Sequence, residues 1–447
     1  MNVVKQIFGT DFRQFTMVFA LVALLLGFHI ASGGSMLTPG NMQNLISGNA
    51  YVLILAIGMV MVIVIGHIDL SVGSVAGFVG MCVALSARDL HFPWWAALLA
   101  GLVIGALIGC WHGFWLAKVG IPGFITTLAG MMLFRGGVIW LSGSVSVPVP
   151  PELNVLGAGY LPEWGPAWTY LNNSTLLLGL IAIALYAWSQ ISTYRRRVAD
   201  GETELQLSAV IIRVVLVGAV LAYVTYLFGS GRPGTSFPIP GVILVALVII
   251  YHVITQRTTF GRHIYAVGGN KQAAALSGVS VSRVYFLVMA NMSFLAALAG
   301  ILFVARATSA GPSDGNTWEL DAIAAVFIGG AAVSGGIGTV TATMIGGLVM
   351  ATLNSGLFLM GVGQDKTQVI KGFVLLAAVA FDVYNKQQGR PSITGRLFGD
   401  RTKAEPTNEP VAIAPAPRPP PPPPPAPPPP HPAPPPPPPP PPPAPAP

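Results

Sequence analysis

The chain has 447 residues, 53% of them hydrophobic and only 9% charged, with a mean hydropathy of +0.67 and a formal net charge of +7. Soluble domains carry about 25% charged residues, so this composition excludes a soluble globule of this size. The positive balance does not indicate nucleic acid, because the basic residues lie scattered between apolar runs, where they anchor membrane spans on the cytoplasmic side.

Apolar runs of roughly 20 residues, enough for a helix to cross about 30 Å of hydrocarbon, recur along the chain. Spans are expected near 15–33, 45–66, 70–87, 95–117, 121–141, 174–191, 208–228, 239–255, 284–304, 321–335, 337–360 and 367–384. The first run follows Lys5 and Arg13, and no clean small-residue cleavage site follows it, so it is expected to remain as a span. The 321–335 segment is short enough to be broken or re-entrant. A total of about twelve puts both termini on one side. Lys5, Arg13, Lys118, Arg195, Arg196, Arg197, Arg213, Arg257, Arg262, Lys271, Arg283 and the cluster from Lys386 to Lys403 then share one face, and Arg88, Arg232, Arg306 and Lys366 the other. This asymmetry places both termini in the cytoplasm. The expected fold class is an all-α polytopic membrane protein.

Three segments lie outside the membrane in this reading. Ser142 to Leu171, with Trp164 and Trp168, reads as an external loop at headgroup level. Residues 256–283 form the longest cytoplasmic loop between spans. The tail holds most of the 41 prolines, and proline removes the amide donor and fixes φ, so the tail is expected to be polyproline II or disordered. The domain division is a transmembrane domain over 1–400 and a Pro-rich tail over 401–447. The tail is either a ligand for a proline-binding module or a dispensable extension.

No GxxxxGK[ST] loop for ATP is present, and the histidines lack metal-ligand spacing. Cys82 and Cys110 lie inside apolar segments and read as small buried hydrophobes. No catalytic role, cofactor or metal is therefore expected of this chain.

Intramembrane polar residues are the next signal, since charge at bilayer depth is costly. Asp69, in His67-Ile-Asp-Leu-Ser-Val-Gly-Ser74, either lines a solute path or caps the helix that follows, and Ser71 beside it suits close helix approach. Arg135 either pairs with a carboxylate or snorkels to an interface. Glu319 and Asp321 suit the N-terminus of the short 321 span. Asn291 and Asn354 could hydrogen-bond either a solute or a neighbouring helix. Gly329-Gly330 and Gly335-Gly336-Ile-Gly338 either break helices or pack them closely.

The cytoplasmic loop is the most informative segment. Gly268 and Gly269 are expected to form a turn and Asn270 to cap a short helix over Lys271 to Ser277, which Gly278 ends in a left-handed conformation. Such a helix either fits a partner's groove or is a plain connector.

Gln272-Ala-Ala-Ala-Leu-Ser-Gly278 resembles the Glu-Ala-Ala-x-x-x-Gly loop of bacterial ABC importer permeases, with Gln272 in place of the glutamate. Thr258-Thr-Phe-Gly-Arg-His-Ile-Tyr-Ala-Val-Gly-Gly-Asn270, His67 to Ser74, Ile121-Pro-Gly-Phe-Ile-Thr-Thr-Leu-Ala-Gly130 and Glu319 to Gly330 are similar to ribose/xylose-type sugar permeases of the branched-chain permease superfamily. The chain adds about 65 residues near Leu171 to Phe237, room for two more spans, a layout resembling the xylose and multiple-monosaccharide permeases. The proline tail belongs to neither pattern.

The resemblance implies a ten-helix importer core with a two-helix insert. It also implies a cytoplasmic ATPase that binds the ATP, a periplasmic sugar-binding protein and a second permease copy. Gly261, Arg262, Gly268, Gly269, Asn270, Gln272, Ala273, Ala274 and Gly278 would form the ATPase-coupling loop. Asp69, Ser71, Asn291, Asp321 and Asn354 would line the path or cap helices. The competing reading is an ion-coupled secondary sugar transporter, for which Asp69 is the fair titratable candidate.

Overall fold

Once water is excluded, an apolar run must satisfy its backbone groups within the segment, and helices do so. The structure, a computed structural model, describes residues 12–166, 169–200, 207–231 and 234–387. The tail over 401–447, Trp168 and Arg232 lie outside the described residues.

Each expected span contains a helix, that of 321–335 ending at Ile328. In chain order they are α1 (Phe12–Ala31), α2 (Pro39–Val64), α3 (Val72–Asp89), α4 (Trp94–Phe114, continued by a π-helical turn over Trp115–Val119) and α5 (Gly123–Ser142). A five-residue α6 (Asn154–Ala158) lies in the loop after α5. Then come α7 (Asn173–Ala199), α8 (Leu207–Gly229), α9 (Ile239–Arg257), α10 (Thr259–Gly269), α11 (Lys271–Leu276) and α12 (Val281–Ala307). The chain continues through α13 (Trp318–Ile328), α14 (Val340–Leu359) and α15 (Gln364–Gln387).

Among the described residues nine helices are long and apolar enough to cross a membrane, fewer than the twelve or so expected. The apolar part of α1, Met17–Ala31, is too short, and α13 has 11 residues. Helix α15 opens on the polar run Gln364-Asp365-Lys366-Thr367-Gln368, which dilutes its hydropathy. A single antiparallel ladder among the described residues, β1 (Val147–Pro148) with β2 (Ser309–Ala310), qualifies the all-α expectation. It ties the loop after α5 to the end of α12.

The core is built around α2 and α12. From Leu53 to Ile65 every residue of α2 and its cap is buried. Helix α12 brings Met289, Met292, Leu295 and Ile301 to the same cluster. Small residues allow close approach: a Cβ at Gly109 of α4 would come within 2.7 Å of the Ala290 Cα of α12. The insert forms a hairpin of α7 against α8, joined to α2 where Gln43 Nε2 donates to the Phe228 carbonyl at 3.0 Å. Its outer surface is apolar, with Leu177, Leu180, Ile181, Leu185 and Trp188 exposed, as a bilayer-facing surface requires. Cys110 is exposed and Cys82 half-buried, so the expectation of two buried cysteines fails.

Three local expectations change. Gly268 and Gly269 do not form a turn: they end the helix α10, and the chain breaks one residue later at Asn270. Asp69 is not itself the N-cap of α3, because Ser71 holds that position; its carboxylate instead accepts the amide two residues on. Glu319 and Asp321 do lie in the first turn of α13, but the N-cap is Thr317 at φ +65, with no side-chain cap.

Candidate functional site

The segment between α9 and α12 is almost wholly helical. Thr258 opens α10 by accepting the Gly261 amide at 3.2 Å, and the helix buries Gly261, Ile264 and Val267 on one face, leaving Arg262 and His263 exposed. Asn270 then caps α11, its Oδ1 accepting from the Ala273 amide at 2.9 Å. At the far end Gly278 takes φ +84. The Gly278 and Val279 amides donate to the Ala275 and Ala274 carbonyls at 3.0 Å, a Schellman ending. The result is a short helix fixed at both ends. Only Ala274 faces inward. Lys271, Gln272, Ala273 and Ala275 are exposed, and Leu276 is 91% exposed.

Helix α10 sits directly on the turn that follows α13. That turn contains Gly330, Gly335, Gly336 and Gly338, all at positive φ. The Gly336 amide donates to the Val64 carbonyl at the end of α2 at 2.8 Å. A Cβ at Gly268 would collide with that same carbonyl oxygen, so only glycine fits there. Tyr265 Oη donates to the Gly338 carbonyl at 2.7 Å and accepts from Gln256 Nε2 at 3.2 Å. Burial raises the Tyr265 phenol's pKa, which keeps it a donor. Lys271 Nζ lies 5.3 Å from the Tyr285 ring centroid, and the His67 ring meets the same tyrosine edge-on at 4.7 Å. Burial first, and then the Lys271 charge, hold the His67 imidazole below its ordinary pKa.

The other expected site residues fall into separate hydrogen-bonded groups. Asp69 Oδ1 accepts from the Ser71 amide at 2.8 Å and from Ser71 Oγ at 2.6 Å. Asn291 accepts from the Tyr251 hydroxyl, joining α12 to α9. Asn354 Nδ2 donates to Asn49 Oδ1 at 3.2 Å, and Asp321 takes the Lys371 ammonium at 2.9 Å. The first bond joins α14 to α2, and the second joins α13 to α15. Half-buried Arg135 donates to Asn316 Oδ1 and, at 3.4 Å, to the Gly315 carbonyl, and it makes no carboxylate ion pair among the described residues. Sequence reasoning missed Tyr265, Lys371 and Asn49. A lone lysine inside the expected 367–384 span was a usable signal; a tyrosine on a cytoplasmic segment was not.

Residues Gly311 to Gly315 spell the Gly-x-Ser-x-Gly string of hydrolase elbows. Here the string is a loop tied by the Gly311 amide donating to Asp314 Oδ2 at 2.7 Å, with Ser313 exposed.

Apolar helices around an apolar core, with a capped helix pair outside the spans, define a polytopic membrane protein. The family described as "Branched-chain amino acid transport system / permease component" matches residues 41–379, and the chain belongs to it. The chain is 35% identical over 389 residues to the xylose transport system permease protein XylH of Haemophilus influenzae, covering 85% of this chain and 98% of that one. Against XylH of Escherichia coli K12 it is 35% identical over 379 residues, 85% of this chain and 93% of the relative. Against the ribose import permease protein RbsC of the same strain it is 33% identical over 375 residues, 83% and 94% of the two chains. No solved structure matches it. Membership makes the chain a multi-pass inner-membrane permease subunit, a transmembrane component and not a catalytic one. Permeases of this kind work with an ATPase and a solute-binding protein.

Proposed function

We propose that this chain is the membrane-spanning subunit of a binding-protein-dependent ABC importer that carries monosaccharides inward, pentoses such as xylose or ribose foremost. It resides in the inner membrane with both termini in the cytoplasm, and two copies form the pathway. Separate ATPase subunits bind and hydrolyse ATP, and a periplasmic protein delivers the sugar. The relatives named for xylose and ribose support the substrate class.

The observation that carries the reading is α11: a helix too short to be stable alone, capped by Asn270 and ended by Gly278, presenting Gln272 and Leu276 outward. Such a helix suits a partner's groove. ATP-driven closure of the ATPases would press on α11 and α10, and α10 bears on the glycine turn at the inner end of α13.

Two measurements test this. Affinity-tagged chain purified from its native membrane should bring an ATPase with it. Radiolabelled D-xylose or D-ribose uptake in cells should vanish when that ATPase gene is deleted and survive a proton uncoupler. Uptake that persists without the ATPase and stops with the uncoupler would replace this reading with an ion-coupled carrier.

A further inference from the structure

Two carboxylates are buried at the starts of two facing helices, and neither is fully used by the fold. Asp69 is 0% exposed; its Oδ1 serves the Ser71 amide and hydroxyl, while its Oδ2 has no hydrogen-bond partner. Glu319 is 6% exposed, and its Oε2 likewise has none. Glu319 lies against the first turn of α3, the helix that follows Asp69. A Cβ at Gly73 would come to 2.5 Å from Glu319 Oε2, so that oxygen lies directly on the backbone four residues after Asp69. The charges of Arg135, Asp321 and Asp69 all act on the Glu319 carboxylate. Ser74, 1% exposed, adds a further unpartnered hydroxyl on the same turn.

Capping does not account for these oxygens, since α13 is entered through Thr317 and Glu319 Oε2 meets no amide. Gly73 leaves room for the Gly315 carbonyl, 2.3 Å from where a Cβ would sit, and for Glu319 Oε2 beside it at 2.5 Å, but that close packing gives the carboxylate oxygen no donor. Helix α13 is a broken helix of 11 residues, and α3 starts after a non-helical stretch, so two positive helix ends meet here. Discontinuous helices whose ends meet inside a bundle are where transporters hold polar cargo.

We infer that Glu319 Oε2 and Asp69 Oδ2, at the meeting of α13 and α3, form a subsite that accepts hydrogen bonds from the hydroxyls of a neutral polyhydroxylated solute during its passage. The ligand class follows from the donor set. Unused carboxylate oxygens need donors, and a sugar offers several on adjacent carbons without bringing a charge of its own. The inference rests on the sugar-permease reading.

The test uses the full importer, isolated with its own ATPase and binding protein and placed in proteoliposomes. [¹⁴C]D-xylose and [¹⁴C]D-ribose uptake is measured beside receptor-stimulated ATP hydrolysis. Glu319→Gln and Asp69→Asn keep side-chain shape but exchange an acceptor for a donor. Each should lower sugar carried per ATP hydrolysed by roughly tenfold, the weight of one charge-assisted hydrogen bond, with abundance and stimulated hydrolysis near wild type. Unchanged sugar transport in both variants overturns the subsite. A parallel fall in hydrolysis and transport also overturns it, by showing a structural role. Wild-type uptake that depends on Na⁺ or a proton gradient, with the dependence lost in the variants, makes the cluster a cation site and overturns it as well. A wild-type importer that carries neither pentose overturns the sugar reading, and this ligand class with it.

Discussion

The Tyr265 hydroxyl donates to the Gly338 carbonyl at 2.7 Å, joining the last turns of α10 to the glycine turn between α13 and α14. It is a side-chain link between the segment that meets the ATPase in the proposed importer and the broken helix that carries Glu319 and Asp321. Tyr265→Phe removes that bond and leaves the ring's packing. The expected cost is about 1 kcal/mol of stability, too little to lower abundance. Sugar uptake should nonetheless fall well below that of Gln256→Ala, which removes the same tyrosine's other partner, while the ATPase still co-purifies. Equal uptake in the two variants would deny the bond a transmitting role.

Gly278 has φ +84 and nothing within 4 Å of the position a Cβ would take, so backbone conformation alone makes it glycine. Gly278→Val forces a β-branched residue into the left-handed region. The end of α11 should shift, and co-purification of the ATPase should be lost while the permease remains at normal abundance. Gly278→Asn, which tolerates that region, should be milder. A connector without a partner would show full uptake for both.

The Asp321–Lys371 pair is buried, with side chains 9% and 20% exposed. Removing one partner strands a charge, so Lys371→Met alone should cost about 3–5 kcal/mol, seen as lost abundance and a lower unfolding temperature. Asp321→Leu combined with Lys371→Met should recover most of that stability. A double variant no better than the single one would mean that side-chain packing, not charge balance, sets the cost.

Much of the architecture follows from hydropathy alone: each of the segments proposed from apolar runs contains a helix. What hydropathy could not supply is length. Gln364 to Gln368 belong to α15 because helix formation continues past the apolar stretch, and α13 stops at Ile328 because Gly330 turns left-handed at φ +85. In the segment between α9 and α12, Asn270 and Gly278 were readable because their roles are local. Gly268 was not: its need for glycine comes from the Val64 carbonyl, a contact about two hundred positions away. Asp69 sits between these cases, since its bond to the Ser71 amide is local and its free oxygen is a matter of tertiary placement.

His67 supplies a pH prediction. Its pKa in the folded protein lies below the ordinary value of about 6.5. The unfolded chain therefore binds the proton more readily, and stability is full above that value and falls as pH drops through it. The unfolding temperature of detergent-solubilised protein should fall more between pH 8 and pH 5.5, a window that brackets the ordinary histidine value, in wild type than in His67→Gln. Identical pH profiles would remove His67 as the source.

Orientation is tested by cysteine labelling after Cys82 and Cys110 are replaced. Leu90, 63% exposed after α3, should react from outside as Leu90→Cys, and Leu276, 91% exposed on α11, only after the membrane is opened. The reverse pattern would put α11 outside and refute the cytoplasmic termini.

The most direct test of the whole account is the energy source of transport in a purified system. The importer is reconstituted with its ATPase and binding protein, and labelled pentose uptake is followed with ATP supplied on the ATPase side, with no ion gradient. The account predicts accumulation that requires ATP, stops with a non-hydrolysable analogue and ignores ionophores. Accumulation driven by an imposed proton or Na⁺ gradient in the absence of ATP would contradict it.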